Sequence, residues 1–449
     1  MTSRITPIAL AAGLPGTVSA AVEDFGGRQV VLARIDPAHR RGALDAGAGA
    51  TLAAAAEAAL HARIPLVGVV ASSGADVGGG VAALHGWGGA AREFARCSGV
   101  VPILLAVTGP TLSGPALLLS MADVVVMTRA ASAYVVGPRA ISSFTGEEVT
   151  PDALGGVGVH AHQTGVAAAV VDDEPAALEH LAAVLAHLPD HSDAEPPFWP
   201  TDDPLDRPTP EAGALLPPSS TGSYDVIDVA RALVDGGEVI ELWAGWAPNL
   251  VTALALLGGR PIGIVANQPL ALAGSIDIAA SQKGARFVGM CDSFNVPLVT
   301  MVDTSGFFPG KDREWRGMIR HGAQLVGAYA RASVPRVCVV LRKAYGGAYI
   351  VMDSKTMGND VCLAWPSAEM AVMGARQAAG VLHRRDAAEA RAAREAEYSA
   401  TLLNPWTAAE RGYVDAVIDP ADTRRIVGAA LELLRSKRER LPRRRHDTL

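Results

Sequence analysis

The sequence contains an internal duplication in which motifs recur with a shift of about 232 residues. The shift drifts by only a few residues along the chain, so chance does not explain it. The repeat predicts two copies of one domain and an active site assembled from two similar half-sites. The matched segments are 27–32 with 259–264, 64–67 with 296–299, 73–74 with 305–306, 101–102 with 334–335, Gly114 with Gly347, and 123–124 with 360–361.

Length and composition agree with two globular domains. The 449 residues suffice for two domains of roughly 200 residues each. Hydrophobic residues make up 49% and charged residues 19%, which is typical of a folded globular chain. The net charge of −7 gives no reason to expect nucleic acid or a membrane as a partner. The basic stretch from Arg435 to Arg445 is interpreted as a solvated end.

The cysteines and the apolar runs indicate a compartment. The four cysteines lie far apart and form no C-x-x-C pair, which argues against a zinc ribbon and a disulfide framework. The first residues carry little positive charge and no clear cleavage pattern, so we predict no signal peptide. No apolar run approaches the roughly 20 residues that span a bilayer. We therefore expect a reducing compartment, the cytoplasm.

Short apolar runs alternate with helical segments in both copies, which predicts an α/β fold with a mostly parallel, covered sheet. The predicted strands are Val30–Ala33, Val67–Val70, Ile103–Val107, Val124–Met127, Ile262–Val265, Leu298–Val302, Val337–Leu341 and Val361–Ala364. The predicted helices are Thr51–Leu60, Ala90–Cys97, Ser275–Val288 and Ile319–Ala332.

A proline-rich segment separates the copies. Proline at the density found in 188–223 does not continue a helix or a central strand. We therefore predict an N-terminal domain over 1–187, an extended connection over 188–223 and a C-terminal domain over 224–449.

Each copy has a glycine turn where a strand runs into a helix. In the second copy the turn is Tyr345-Gly346-Gly347-Ala348, and in the first it is Ser113-Gly114-Pro115. The first N–H groups of such a helix have no internal partner and lie at the positive end of its dipole. They can stabilise negative charge that develops on an oxygen. Pro115 has no N–H to offer.

The sequence gives little support for a nucleophilic triad, a metal site or a side-chain base. The sequence has no G-x-S-x-G elbow and no convincing Cys–His pair. His160 and His162 have no acid or thiolate close by, so we favour a structural role and predict no metal. Asp303 is expected to accept hydrogen bonds from turn amides rather than to act as a base. The pattern fits catalysis by positioning and oxyanion stabilisation.

At these motifs the chain resembles the carboxyltransferase (β) subunit of biotin-dependent acyl-CoA carboxylases, of the propionyl-CoA carboxylase type. The resemblance covers most of the chain and is strongest from Tyr224 to Arg385. The segments that carry it are Gly245-Trp246-Ala247-Pro248-Asn249, Val302-Asp303-Thr304-Ser305-Gly306-Phe307-Phe308-Pro309-Gly310, Arg342-Lys343-Ala344-Tyr345-Gly346-Gly347-Ala348-Tyr349, and Thr145-Gly146-Glu147-Glu148.

The resemblance implies two tandem crotonase-like (ClpP/crotonase superfamily) domains and a homo-oligomer, hexamer or dimer. It also implies carboxybiotin on a separate carrier, a biotin carboxylase and carrier subunit as partner, and acyl-CoA as substrate. Ser113 and Gly114 match the pair that holds the thioester enolate, and Gly347 and Ala348 match the pair that holds the biotin ureido oxygen. Gly346, Gly306 and Phe307 complete the biotin side, while Ile350, Tyr349 and Asp76 are implied in acyl selection.

The implied reaction needs no side-chain base, because the ureido nitrogen takes the α-proton and the enolate attacks released carbon dioxide. Departures from the family pattern lie in the first copy. Asp76 stands where the family has a basic residue, and Ser113 replaces a glycine before Pro115. An aliphatic Ile350, where an Asp is common in propionyl-specific members, suggests a different or broader acyl range. We also expect the region before Gly27 to lack most of the family's N-terminal helices.

Three hypotheses remain open. The first is an acyl-CoA carboxyltransferase subunit. The second is a specialised member that carboxylates or decarboxylates another acceptor, such as a carrier-protein thioester or a non-CoA molecule. The third is an inactive pseudo-subunit of a mixed complex. It is suggested by Asp76 and Ser113, which depart from the family pattern.

Overall fold

The computed structural model describes residues 8–9, 16–219 and 221–437. The chain divides into two compact units. Unit 1 comprises the described residues up to Pro197 together with 293–295, and unit 2 comprises the described remainder from Phe198. The basic stretch interpreted as a solvated end extends past residue 437, outside the described residues.

Unit 1 is one mixed sheet with helices over it. Its strands are β1 (Ile8–Ala9), β2 (Val18–Phe25), β3 (Arg28–Ile35), β4 (Leu66–Ser72), β5 (Ile103–Leu112), β6 (Val124–Thr128), β7 (Ser132–Tyr134) and β8 (Ala169–Val171). Its helices are α1 (Ala46–Ala62), α2 (Val81–Cys97), α3 (Gly114–Leu119), α4 (Pro138–Thr145), α5 (Pro151–Gly155), α6 (Val157–Val159) and α7 (Glu174–Leu185).

Unit 2 has the same plan. Its strands are β9 (Val239–Leu242), β10 (Leu250–Leu257), β11 (Arg260–Asn267), β12 (Leu298–Thr304), β13 (Arg336–Tyr345), β14 (Val361–Ala364), β15 (Glu369–Ala371) and β16 (Ala416–Val417). Its helices are α8 (Pro210–Ala214), α9 (Val226–Leu233), α10 (Ile278–Ser293), α11 (Lys311–Trp315), α12 (Met318–Arg331), α13 (Gly346–Val351), α14 (Ala375–Leu382), α15 (Ala388–Leu402), α16 (Pro405–Glu410) and α17 (Thr423–Leu433).

The two sheets are ordered alike, which confirms the duplication. Unit 1 runs β1-β2-β3-β4-β5-β6-β8 with β7 on β5, and unit 2 runs β9-β10-β11-β12-β13-β14-β16 with β15 on β13. The pairs β2–β3 and β10–β11 are antiparallel, and the strands that follow pair in parallel. Every residue of β4 and of β12 is buried, as expected of parallel strands covered on both faces.

Equivalent caps begin the first long helix of each unit. Asp45 accepts a hydrogen bond from the Ala48 amide at 2.8 Å, and Asp277 accepts one from the Ala280 amide at 2.9 Å. An acidic N-cap satisfies an amide that the helix itself leaves without a partner. The helix predicted over Ala90–Cys97 is the second half of α2, which begins earlier because tight packing overrides its glycines. A Cβ on Gly49 would lie 2.2 Å from the Gly86 carbonyl carbon, so α1 and α2 cross at glycines.

The proline-rich segment is partly folded rather than wholly extended. Thr209 is fully buried, and its amide donates to the Ala421 carbonyl at 2.8 Å. Helix α8 starts with Pro210, and proline is tolerated in the first turn of a helix because no amide is needed there. Ala212 of this helix is fully buried in the hydrophobic core of unit 2.

None of the helices in the described residues is both long and apolar enough to span a membrane. All four cysteines are buried free thiols.

Candidate active site

The glycine turn of unit 2 lies between β13 and α13. Gly346 has a φ of +60°, and a Cβ there would lie 3.1 Å from the Val372 carbonyl oxygen, so both the backbone angle and the space favour glycine. No side chain caps the start of α13. The first amides of this helix, including those of Gly347 and Ala348, lack an intrahelical partner.

A second predicted segment meets this turn. Gly306 has a φ of +133° and follows β12. The Gly306 carbonyl accepts a hydrogen bond from the Ile276 amide at 3.0 Å, and the Phe308 amide donates to the Ile276 carbonyl at 2.8 Å. Because Gly306 and Phe308 are both hydrogen-bonded to Ile276, the backbone of Phe307 between them is held in place. The Phe307 ring lies 3.6 Å from the position of a Cβ on Gly347. The structure thus brings together the five residues expected on the biotin side: Gly306, Phe307, Gly346, Gly347 and Ala348.

A cavity of about 540 Å³ opens beside Gly346 and Gly347. Tyr349 is one of the residues that line this cavity, and its hydroxyl lies 4.0 Å from the Cys362 sulfur. Burial raises the pKa of Tyr349 above its usual value. Ile350 is partly exposed. The lining also includes Lys355, Thr356, Met370, Ala371, Val372, Tyr398, Leu402, Thr407, Ala408, Arg411 and Tyr413.

Buried charges lie under the two segments. Asp303 Oδ2 accepts from Arg342 Nε at 2.9 Å, and Asp303 Oδ1 accepts from the Lys343 amide at 3.2 Å. Asp303 therefore accepts from a backbone amide, but the expectation that this amide belongs to the adjacent turn was wrong, because it lies on the neighbouring strand beside Arg342. Burial raises the pKa of Asp303 and lowers the pKa of Lys343, while the opposite charges resist both shifts.

The glycine turn of unit 1 offers fewer free amides. Ser113 has a φ of +58°, and its amide donates to the Tyr134 carbonyl at 3.0 Å. Pro115 has no N–H. Of the turn residues Ser113, Gly114 and Pro115, only Gly114 therefore keeps an amide without a backbone partner at the start of α3. A Cβ on Gly114 would lie 2.5 Å from the indole of Trp87, which covers this residue.

Asp76 is engaged within unit 1. It pairs with Arg40, and Arg40 Nη1 also lies 3.1 Å from Asp45 Oδ2. The Asp76 carboxylate accepts from the Gly78 amide at 3.2 Å. Sequence reasoning missed this ion pair because its members are separated by many residues and no motif links them.

His160 has a structural role. Its Nδ1 lies 2.8 Å from the Thr164 hydroxyl, and its Nε2 lies 2.7 Å from the Ala133 carbonyl. Within the described ranges, no group of three or more His, Cys, Asp or Glu residues could hold a metal ion.

The chain has two crotonase-like units in tandem, each with a glycine turn between a strand and a helix. The chain belongs to the carboxyl transferase domain family, whose model matches residues 3–449. It is 42% identical over 410 residues to the propionyl-CoA carboxylase beta chain of Saccharopolyspora erythraea, covering 87% of this chain and 75% of that one. It is 40% identical over 441 residues to the biotin-dependent acetyl-/propionyl-coenzyme A carboxylase beta5 subunit of Mycobacterium tuberculosis, covering 94% and 80%. The solved transcarboxylase 12S hexamer with methylmalonyl-coenzyme A bound superposes with a TM-score of 0.94 at 40% identity, covering 96% of this chain and 84% of that one.

Proposed function

We propose that this chain moves a carboxyl group from carboxybiotin, carried on a separate protein, to the α-carbon of an acyl-CoA thioester. One observation carries the proposal: the uncapped start of α13 meets the Gly306–Phe307 segment at the edge of an apolar cavity. Amides held in this way can stabilise an oxyanion without reorganisation.

Unit 2 is proposed to hold biotin. A bicyclic urea is an apolar body with one strongly polar oxygen, which fits apolar walls with amides at one end. The Gly347 and Ala348 amides would donate to that oxygen, and Phe307 would shield it from water. When bound, carboxybiotin supplies the carboxyl group and a nitrogen base for the α-proton.

Unit 1 is proposed to hold the acyl-CoA, with its thioester oxygen on the Gly114 amide. The Ser113 amide already has a partner in Tyr134, so Ser113 contributes backbone shape rather than a donor. Its positive φ directs the chain into α3.

The lining of the cavity in unit 2 supports a reaction without a side-chain base. Among the described residues that line it there is no carboxylate and no histidine. Lys355 is paired with Asp415, and the raised pKa of Tyr349 keeps that phenol protonated near neutral pH.

The family implies the remaining partners. We propose a biotin carboxylase and carrier subunit as the partner, and a homo-oligomer, since the related 12S protein was solved as a hexamer. The buried free thiols favour a reducing compartment, the cytoplasm.

Reconstitution tests the proposal. We expect labelled bicarbonate to enter an acyl-CoA when the chain is combined with ATP, a biotin carboxylase and a biotinylated carrier. Label should be absent when the carrier is omitted. Incorporation of label without the carrier would contradict the proposal. So would a lack of incorporation with a biotinylated carrier that is active toward another carboxyltransferase.

Ile350 is proposed to set the acyl range, because it matches the family position that helps to set acyl-chain preference and lines the cavity where carboxybiotin must meet the acyl α-carbon. Comparing acetyl-, propionyl- and butyryl-CoA as acceptors measures the range. We expect Ile350→Asp to narrow it toward propionyl-CoA.

A second candidate is transfer to a different acceptor, such as a carrier-protein thioester or a non-CoA molecule. It is favoured by the single remaining amide at α3 and by Asp76 at the neighbouring loop. Saturable micromolar binding of a simple acyl-CoA would exclude it. Binding without transfer in the reconstituted system would instead indicate the inactive pseudo-subunit.

A further inference from the structure

Three charged side chains meet where β12 and β13 end. The side chain of Asp303 is 0% exposed, that of Arg342 is 3% exposed, and that of Lys343 is 12% exposed. Arg342 Nε lies 2.9 Å from Asp303 Oδ2, and Lys343 Nζ lies 3.8 Å from Asp303 Oδ1. We call these three residues the strand-end clamp. Buried charges need compensation by partners, and here each carboxylate oxygen has one.

The clamp is fixed by further contacts. The Asp303 amide donates to Asn267 Oδ1 at 3.2 Å. Arg342 Nη1 donates to the Ser219 carbonyl at 3.1 Å, and its guanidinium lies 5.1 Å from the centre of the Tyr224 ring. A planar guanidinium can bind a carboxylate and stack on an aromatic ring at once, which lysine cannot do.

The clamp fills a bulge in the sheet. Val302 pairs with Val340, but Thr304 pairs with Ala344, so Asp303 alone stands opposite three residues of β13. Such a bulge leaves backbone groups without ladder partners. The Asp303 carboxylate supplies the acceptor for one of them, the Lys343 amide.

Unit 1 has the same bulge without the charges. Val70 pairs with Val107 and Ser72 with Thr111, so Ala71 stands in the place of Asp303. Pro110 occupies the position of Lys343, and proline has no amide that needs an acceptor. Gly109 occupies the position of Arg342, and a Cβ there would lie 3.2 Å from the Ala71 Cβ. The bulge that the small residues Ala71 and Gly109 accommodate in unit 1 is therefore stabilised in unit 2 by one acidic and two basic side chains.

The clamp lies directly before both segments of the proposed biotin site. Asp303 precedes Gly306 by three residues, and Lys343 precedes Gly346 by three. A change in the bulge is therefore expected to shift the Phe307 ring relative to the Gly347 amide. A displacement of the order of 1 Å is enough to lower turnover substantially.

We propose that Asp303 and Arg342 are positioning residues for the carboxyl-transfer step, fixing the spacing between the Phe307 ring and the amides of Gly347 and Ala348 in unit 2. This inference rests on the proposed function. It predicts a loss in kcat with an unchanged KM for acyl-CoA, because the acyl-CoA is held by unit 1.

Steady-state kinetics on the complete reconstituted system test the proposal. Asp303→Asn keeps an acceptor for the Lys343 amide but removes the charge that holds Arg342. We expect kcat to fall about tenfold in Asp303→Asn and in Arg342→Gln, with the acyl-CoA KM unchanged. Arg231→Gln is the matched control, since Arg231 forms an exposed pair with Asp228 in the same unit. Unchanged kcat in folded variants, or a change in acyl-CoA KM alone, would overturn the proposal.

Amide hydrogen exchange separates this inference from the proposed function. We expect peptides over 303–308 and 343–349 to exchange faster in Asp303→Asn than in wild type, whether or not transfer is detected. An inactive wild type with faster exchange in the variant would count against the proposed function and not against the clamp. Equal exchange in both proteins would contradict the clamp.

Discussion

Units 1 and 2 share one architecture but differ in what they bury. Both have the same sheet order, and both carry the same bulge before the glycine turn. An aspartate also caps the start of the bulged strand in each, since Asp123 accepts from the Ile103 amide of β5 at 2.8 Å and Asp360 from the Arg336 amide of β13 at 2.9 Å. At several equivalent sites unit 2 has a charged residue where unit 1 has an uncharged one, among them Lys283 and Thr51, Asp303 and Ala71, Arg342 and Gly109, and Lys343 and Pro110.

This difference shows that the fold does not need these charges. Replacing buried ion pairs by packed apolar residues is often neutral or stabilising, and unit 1 contains such a replacement. The charges of the strand-end clamp are therefore best explained by the proposed biotin site that follows them in the chain.

The largest effect is expected from another buried pair of unit 2. Arg336 Nη1 lies 2.5 Å from Asp353 Oδ1, and both side chains are almost fully buried. Burial raises the pKa of Asp353 to about 7, so the test belongs at about pH 8.5, where the carboxylate is ionised. Asp353→Ala leaves a buried cation without its partner, and we expect a loss of about 3–5 kcal/mol in the free energy of unfolding.

The equivalent change in unit 1 is the control for this pair. Ser120 is exposed at the end of α3, and Ser120→Ala should change the stability by less than about 0.5 kcal/mol. Denaturant unfolding measures both variants. Equal losses in the free energy of unfolding of the two variants would show that the Arg336–Asp353 pair contributes no more to stability than the exposed Ser120.

The second prediction concerns Lys283. Its ammonium donates to the carbonyls of Trp243 at 2.9 Å and Trp246 at 3.0 Å. Burial lowers the pKa of Lys283 to about 8, against the attraction of Glu241. Between this value and the unfolded pKa of about 10.4, the unfolded state binds more protons. Stability contributed by this residue therefore rises with pH across that window.

Comparing wild type with Lys283→Met at several pH values isolates this term. We expect the stability of wild type relative to the variant to increase by about 3 kcal/mol from pH 8 to pH 10.5. Thr51→Val, at the equivalent position of unit 1, should give a difference that does not depend on pH. A flat difference for Lys283→Met would contradict the lowered pKa.

The third prediction compares the glycine turns. In Gly114→Ala the new methyl group would meet the Trp87 indole at 2.5 Å, so the ring or the turn must move, at about 1–3 kcal/mol. In Gly347→Ala the methyl group would lie 3.6 Å from Phe307, an ordinary contact. We expect kcat/KM for acyl-CoA to fall about tenfold or more in Gly114→Ala and by less than about threefold in Gly347→Ala. Recovery in Gly114→Ala/Trp87→Ala would confirm the steric cause, and equal losses in both single variants would oppose it.

The smallest effect is expected at Asp76. Its partner Arg40 is half exposed, and exposed ion pairs contribute about 0.2–1 kcal/mol. Arg40→Gln should therefore lower stability by less than about 1 kcal/mol, and salt should remove the difference. A larger loss that persists at high salt would show that this loop depends on the pair.

The sequence predicted the parts of the fold that repeat. The duplication and the parallel strands such as β4 and β12 could be inferred from spacing and apolar runs, whereas the grouping of Phe307 with Gly347 was implied only by the family resemblance. The antiparallel strand β2 could not, because its alternation of small and charged residues gives a weak signal. The partners of Asp303 and Asp76 depend on a bulge and on a long-range contact, which no local pattern encodes.

Equilibrium titration of acyl-CoA tests the unequal roles of the two units most directly. The dissociation constant should rise about tenfold or more in Gly114→Ala, where the acyl side is disturbed, and remain that of wild type in Asp303→Asn. Weaker binding in Asp303→Asn with unchanged binding in Gly114→Ala would contradict the account.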